Sequence, residues 1–232
     1  MTEMELRTHF VDITRSYYGA EKGSAKHLEI LDIYNGQEKL PRGHKMTVQE
    51  PWCATFVSAM AIKCGLTDII PTECSCSKMI ELHKALGTWQ EFDDHVPQPG
   101  DLLIYDWEDS GKGDNTGDPD HIGIVARVNS GIIRVIEGNM YNSVWHRDMK
   151  VDGPKIRGYC CPDFAAKAEK EDSDMSKFKD VKDGAWYADK VDKAAELGLM
   201  AGIAEDEFGV GQPVTREQLA TGVVKLYEKL KA

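Results

Sequence analysis

Long apolar runs are missing from these 232 residues. No stretch is long and apolar enough to cross a bilayer, so a membrane partner is not expected. The first residues, Met1 to Arg7, are polar and lack the apolar core of a secretory signal. The expectation is a chain made and held in the cytoplasm until something releases it. Positive charge is also scarce: 28 Lys and Arg stand against 39 Asp and Glu, for a net charge of −11. Without a local Lys/Arg cluster this balance repels phosphate backbones and excludes nucleic acid as a partner. The spacing of common zinc sites is absent as well. The six cysteines are Cys53, Cys64, Cys74, Cys76, Cys160 and Cys161. Neither Cys74-Ser75-Cys76 nor Cys160-Cys161 has the two-residue gap or a suitably spaced histidine, so no metal is expected and reduced thiols are the default. No internal repeat is visible.

What is present reads as a soluble, foldable chain with 41 % apolar and 29 % charged residues. Leu6, Phe10, Ile13 and Tyr17 have helical spacing, and Gly19 supplies a stop. Ser24 can cap a second helix through Tyr34, with Leu28, Leu31 and Ile33 facing inward. An apolar helix follows from Trp52 to Cys64, and Ser75 or Ser77 starts another through Leu86. After Pro99-Gly100 the pattern becomes short β-branched runs at 102–105, 122–128, 132–137, 143–149 and 155–160, with Asn129-Ser130-Gly131 as a hairpin turn. Helices first and an antiparallel sheet afterwards is an α+β order. Residues 165–176 are short, charged and poor in bulky apolar side chains, which reads as a linker between a domain over 1–164 and a small one over 177–232.

Cysteine attacks as a thiolate, and the start of a helix favours that anion. Cys53 sits at such a start, where its own N–H can also help to hold an oxyanion; Cys64 lies at the unfavourable end. His121 opens an apolar strand, at the rim of a sheet, where it can lean over a helix terminus. His9, His27 and His83 lie on helices and read as surface or packing residues. The next strand ends Glu137-Gly138-Asn139, beside the start of the previous one in a hairpin. Glu137 or Asn139 can therefore reach the second imidazole nitrogen. Gln49, upstream of the cysteine, is a candidate second oxyanion donor. Residues 106–120 are crowded with oxygen ligands, but the spacing does not fit a helix–loop–helix calcium site. A solvated loop shaping a groove is the expectation, with calcium as the alternative.

A cysteine at a helix start, then Pro99-Gly100-Asp101-Leu102-Leu103-Ile104-Tyr105, then a strand-opening histidine, then Glu-Gly-Asn, resembles the CHAP family over roughly residues 3–164. These are cysteine, histidine-dependent amidohydrolases/peptidases of papain-like fold. The resemblance implies N-terminal helices packed on an antiparallel sheet, with Cys53 as nucleophile, His121 as general base and acid, Glu137 as orienting residue and Asn139 as a further polar partner. It implies cleavage of an amide bond in bacterial peptidoglycan without a cofactor. The bond is expected to be the one between N-acetylmuramic acid and L-alanine; the alternative is an endopeptidase acting on the stem or cross-bridge peptides.

From Phe178-Lys179-Asp180-Val181 through Trp186-Tyr187 to Pro213-Val214-Thr215-Arg216-Glu217-Gln218, the C-terminal region resembles a single, small α-helical S-layer homology domain. Thr215 and Gln218 stand at capping-box spacing. The resemblance implies binding of a secondary cell-wall polysaccharide through Asp180, Trp186 and Arg216. An arginine suits an acidic sugar group, and an aromatic ring suits a sugar face. Such domains usually occur as three tandem copies, so a single copy points to a homo-oligomer through the C-terminal region. The combination resembles a phage or prophage endolysin. The rivals are an enzyme of the same fold acting on other amides and a non-catalytic attachment protein.

Overall fold

The computed structural model describes residues 1–92, 94–109, 117–168, 177–182 and 185–231. Residues 110–116 of the oxygen-rich loop and 169–176 of the expected linker lie outside the described residues. The chain divides into two compact units, Met1–Lys167 and Ala168–Ala232.

The first unit opens with α1 (Glu3–Arg15), α2 (Ala25–Asn35), α3 (Cys53–Lys63) and α4 (Cys76–Ala85). Strands β1 (Trp89–Gln90), β2 (Leu102–Tyr105), β3 (His121–Asn129), β4 (Ile132–Met140), β5 (Ser143–Lys150) and β6 (Ile156–Cys160) follow. They form one antiparallel sheet in the order β1-β6-β2-β3-β4-β5. This is the α+β order that the sequence pattern implies. Thr2, Ser24 and Ser75 cap α1, α2 and α4 by accepting a backbone N–H, and at α1 Glu5 completes a capping box.

Helix α3 differs from these. Trp52 stands at its N-cap and no side chain caps it. Its first N–H groups are thus left open to an anion. Nine of its eleven residues are buried, because it packs on α2 on one side and on β3 and β4 on the other. Gly138 on β4 permits that approach: a Cβ there would lie 2.4 Å from Cβ of Phe56, one turn beyond Cys53.

The turn between β3 and β4 is made by Ser130 (φ 49°) and Gly131 (φ 75°), a two-residue hairpin turn with both residues left-handed. Two details depart from the sequence pattern. Leu28 is exposed, and the inward face of α2 is His27, Ile30, Leu31 and Tyr34. The helix is rotated so that His27 packs on Trp52, with ring centroids 4.4 Å apart. Strand β1 is too short to show a period in sequence and exists through its pairing with β6.

In the second unit, α5 (Ala188–Glu196) and α6 (Arg216–Lys231) accompany a small core of Phe178, Val181, Ala188 and Val191, flanked by Tyr187 and Phe208. The expected capping box forms at α6. Thr215 N–H donates to Gln218 Oε1 (2.8 Å), and Gln218 N–H donates to Thr215 Oγ1 (3.2 Å).

Candidate active site

Cys53 is the first residue of α3 and His121 the first of β3; both are buried, and each shifts the ionisation of the other. Glu137 reaches the same imidazole from β4, its Oε2 accepting from His121 Nε2 at 3.1 Å. A carboxylate only accepts, so Nε2 carries the proton and Nδ1 is left for the thiol. Strand register explains the meeting. Tyr105 pairs with His121, and Gly123 pairs with Glu137. Gly123 has no side chain to occupy the space of the Glu137 side chain: a Cβ on it would lie 2.9 Å from Glu137 Cγ.

Glu137 is fully buried, and an isolated buried carboxylate is costly. Three donors meet it. Tyr105 Oη donates to Oε1 at 2.6 Å, Arg147 donates Nε to Oε1 at 2.8 Å and Nη2 to Oε2 at 3.2 Å, and His121 completes the set. Burial pushes the Glu137 carboxyl up, but His121, Arg147 and Tyr105 outweigh it and hold its pKa below the ordinary value. Burial likewise works against the His121 imidazolium, yet hydrogen bonds and charge from Cys53 and Glu137 raise its pKa to about 9. The Cys53 thiol is held well below its ordinary value, first by a hydrogen bond from Cys76, then by His121 and the Ala54 N–H, against the cost of burial. The result is a thiolate–imidazolium pair at the open end of a helix, the arrangement a cysteine nucleophile needs.

Aromatic rings fix the imidazole plane. Trp107 stacks on His121 (6.0 Å) and on Tyr105 (4.9 Å), and the Arg147 guanidinium lies 5.1 Å from the Trp107 ring centre. An open groove of about 540 Å³ leads to His121, lined by Trp107, Asn139, Tyr141, Arg147 and Lys155 among others. Asn139 lines this groove, but among the described residues no hydrogen bond joins it to His121. It lies where the β4–β5 register shifts, with φ 60°. Gln49 is exposed and its carbonyl accepts from Lys22 Nζ at 3.4 Å.

Four residues of this site carried no functional signal in the sequence. Tyr105 and Trp107 look like the end of an apolar strand and its neighbour. Arg147 looks like a solvated strand charge, and only the pairing of Val135 with Arg147 places it one pleat from Glu137. Cys76 looks like a small hydrophobe, yet its Sγ is 3.9 Å from that of Cys53.

Among the described residues, two other clusters bring ligand-type atoms within 4.8 Å of one another: His95, Asp101 and Cys161, and Asp106, Glu108 and Asp120. Arg7 already neutralises Asp101 at 2.9 Å. Backbone N–H groups already occupy an oxygen of Asp106 and one of Asp120.

In the second unit the three residues expected to hold glycan differ in their surroundings. The Asp180 carboxylate accepts the N–H groups of Phe208, Gly209 and Val210, each at 2.7 Å, and so braces the loop before α6 from within. Trp186 is 81 % exposed ahead of α5, with Lys190 Nζ 5.9 Å from its ring centre, and Arg216 is exposed at the start of α6. Tyr187 packs against the core. A cleft of about 400 Å³, lined by Met200, Ile203, Phe208, Val214 and Lys225 among others, includes none of the three.

Comparison with known proteins finds two family matches and one curated relative. Residues 45–139 match the CHAP domain family, a span that contains Cys53, Cys76, Tyr105, His121, Glu137 and Asn139 but not Arg147. Residues 177–220 match the S-layer homology domain, a span that contains Asp180, Trp186 and Arg216. A curated relative, "Cell surface protein" of Thermoanaerobacter kivui, is 46 % identical over 55 residues. That stretch is 23 % of this chain and 7 % of the relative, so the chain spans only a small part of that protein's length. No solved structure matches the chain. A buried cysteine–histidine–carboxylate array in one unit and a separately cored second unit are thus the two parts of a chain that carries a CHAP domain followed by an S-layer homology domain.

Proposed function

We propose that the protein is a peptidoglycan hydrolase that cleaves the amide between N-acetylmuramic acid and L-alanine by way of a thioester, and that its C-terminal unit holds it on the wall. The observation that carries the catalytic part is the continuous array Cys53–His121–Glu137–Arg147, with every buried charge paired. The Cys53 thiolate attacks the amide carbonyl carbon, and the Cys53 N–H at the open start of α3 donates to the developing oxyanion. The tetrahedral intermediate collapses, the C–N bond breaks, and His121 gives its proton to the leaving amine. Water, deprotonated by His121, then attacks the thioester and frees Cys53. Glu137 keeps Nε2 protonated and supports the imidazolium throughout. None of these steps calls for a metal.

In the second unit, Trp186 offers an exposed face and Arg216 an exposed guanidinium to a secondary wall polysaccharide, while Asp180 shapes the loop that precedes Arg216 in the chain. Self-association of this unit through α6 would multiply a weak single site. The test is turbidity loss of purified Gram-positive walls with the intact protein and with Cys53→Ala, followed by mass spectrometry of the released fragments. Clearing by the intact protein alone, with new L-alanine amino termini, supports the amidase. Clearing with other new amino termini makes it an endopeptidase of the same mechanism. Binding without clearing by the intact protein overturns the catalytic reading in favour of an attachment protein.

A further inference from the structure

We propose that Cys76 is a positioning residue for the nucleophile: its S–H donates to the Cys53 sulfur and holds that sulfur as the anion facing His121. The proposal rests on the hydrolase reading only for what the anion then does. The sulfur atoms are 3.9 Å apart and both residues are buried. Each is the first residue of its helix, so the starts of α3 and α4 converge on the pair.

Backbone ties, rather than side-chain packing alone, set this approach. Ser58 on α3 donates its hydroxyl to the Glu73 carbonyl (2.6 Å) and accepts the Glu73 N–H (2.8 Å). The buried Glu73 carboxylate accepts the N–H groups of Cys74 (2.6 Å) and Ser75 (3.1 Å) and pairs with Arg42 (2.7 Å). The three residues before Cys76 are thereby fastened to the helix that carries Cys53.

Two thiols in contact in a buried site do not both ionise, since the second charge would meet the first in a low dielectric. The surroundings decide which one does. The His121 imidazolium from β3 favours the anion at Cys53, with Glu137 and Arg147 behind it. The Cys53 sulfur, burial and the Asp120 carboxylate just before β3 all oppose ionisation of Cys76, and its other neighbour, Cys160 on β6, is a thiol that burial itself keeps protonated. The proton therefore stays on Cys76, and its S–H is a donor with the Cys53 sulfur as its acceptor. A hydrogen bond to an anion is stronger than one to its neutral form, so the contact favours the thiolate.

The experiment uses the full chain and follows the rate of iodoacetamide alkylation against pH at the peptide carrying Cys53, read by mass spectrometry. In Cys76→Ala the midpoint of the Cys53 profile is expected to move up by about one pH unit, a magnitude typical of losing one hydrogen bond to a charge. In Cys76→Ser, which keeps a donor, more than half of that shift is expected to be restored. A midpoint unchanged in Cys76→Ala overturns the proposal, and so does a serine variant shifted as far as the alanine one. Should the alanine variant not fold, wild type against Cys76→Ser decides, and a rise of one unit or more in the serine variant overturns it. The readout is the thiolate itself, so a shifted midpoint in a protein that clears no wall upholds the proposal while the hydrolase reading falls.

Discussion

Four charges alternate in sign along one line of side chains: thiolate at Cys53, imidazolium at His121, carboxylate at Glu137, guanidinium at Arg147. The two inner ions, His121 and Glu137, each have an opposite charge on both sides, which is what makes their burial tolerable. The arrangement also fixes the pH range of activity. Cys53 ionises well below the ordinary thiol range and His121 keeps its proton to about 9. Activity is expected to rise on an acid limb set by Cys53 and to fall through about pH 9, where the leaving amine loses its proton donor. Glu137→Gln removes the negative charge that supports the imidazolium and leaves Arg147 unpaired. The expected outcome is a loss in kcat/KM between about 10²-fold and 10⁴-fold, with the alkaline limb moved to lower pH. Steady-state kinetics across pH 5–10 on solubilised wall fragments checks both, and an unmoved alkaline limb would show that Glu137 does not bear on His121.

At the scale of elements, the site depends on how closely α3 lies on the sheet. Gly138 is the pinch point. A Cβ there would meet three atoms of Phe56 at 2.4–3.0 Å, and Phe56 sits within the packed body of the helix that starts at Cys53. Gly138→Ala is expected to push α3 outward, to cost about 1–3 kcal/mol as overpacking does, and to lower kcat/KM by separating Cys53 from His121. Thermal melting and the Cys53 alkylation profile check this together; an unchanged melting point would mean that the helix yields at no cost. The same scale shows what sequence could and could not supply. Cys53 and His121 were legible because each opens an element, where period and turn signals locate it, and Glu137 because it follows the apolar run of β4 back along the hairpin. The strand runs and the Ser130-Gly131 turn were legible for the same reason. Arg147 was not, because its partner is chosen by β4–β5 register, and a charged residue in an edge strand reads as solvated. Cys76 was hidden because only the tie between Ser58 and Glu73 brings two helix starts, 23 residues apart in the chain, together. In the second unit the Thr215–Gln218 box was plain in sequence, whereas the bracing role of Asp180 depends on a loop 28–30 residues away.

At the scale of the whole molecule, the second unit wears one helix inside out. Gly222 on α6 faces the unit's own backbone, where a Cβ would lie 3.2 Å from the Leu199 carbonyl, and Lys225 Nζ donates to the Gly198 carbonyl at 2.9 Å. The side turned outward carries Leu219, Val223 and Leu226, spaced four and three residues apart and all exposed. A helix of a monomer would show the opposite polarity, with its apolar stripe toward its own core. Covering one such side chain is worth about 1.5–3 kcal/mol, so a stripe of three supports association at micromolar concentration. Light scattering of the full chain is expected to give a multiple of the single-chain mass of 25.9 kDa. Leu219→Ser with Val223→Ser is expected to return the mass to the single-chain value and to reduce retention on walls. Cleavage of soluble wall fragments should stay unchanged, because none of these residues belongs to the unit that holds Cys53. A single-chain mass for the unmodified protein would remove the oligomer, and wall binding would then have to come from Trp186 and Arg216 of one chain.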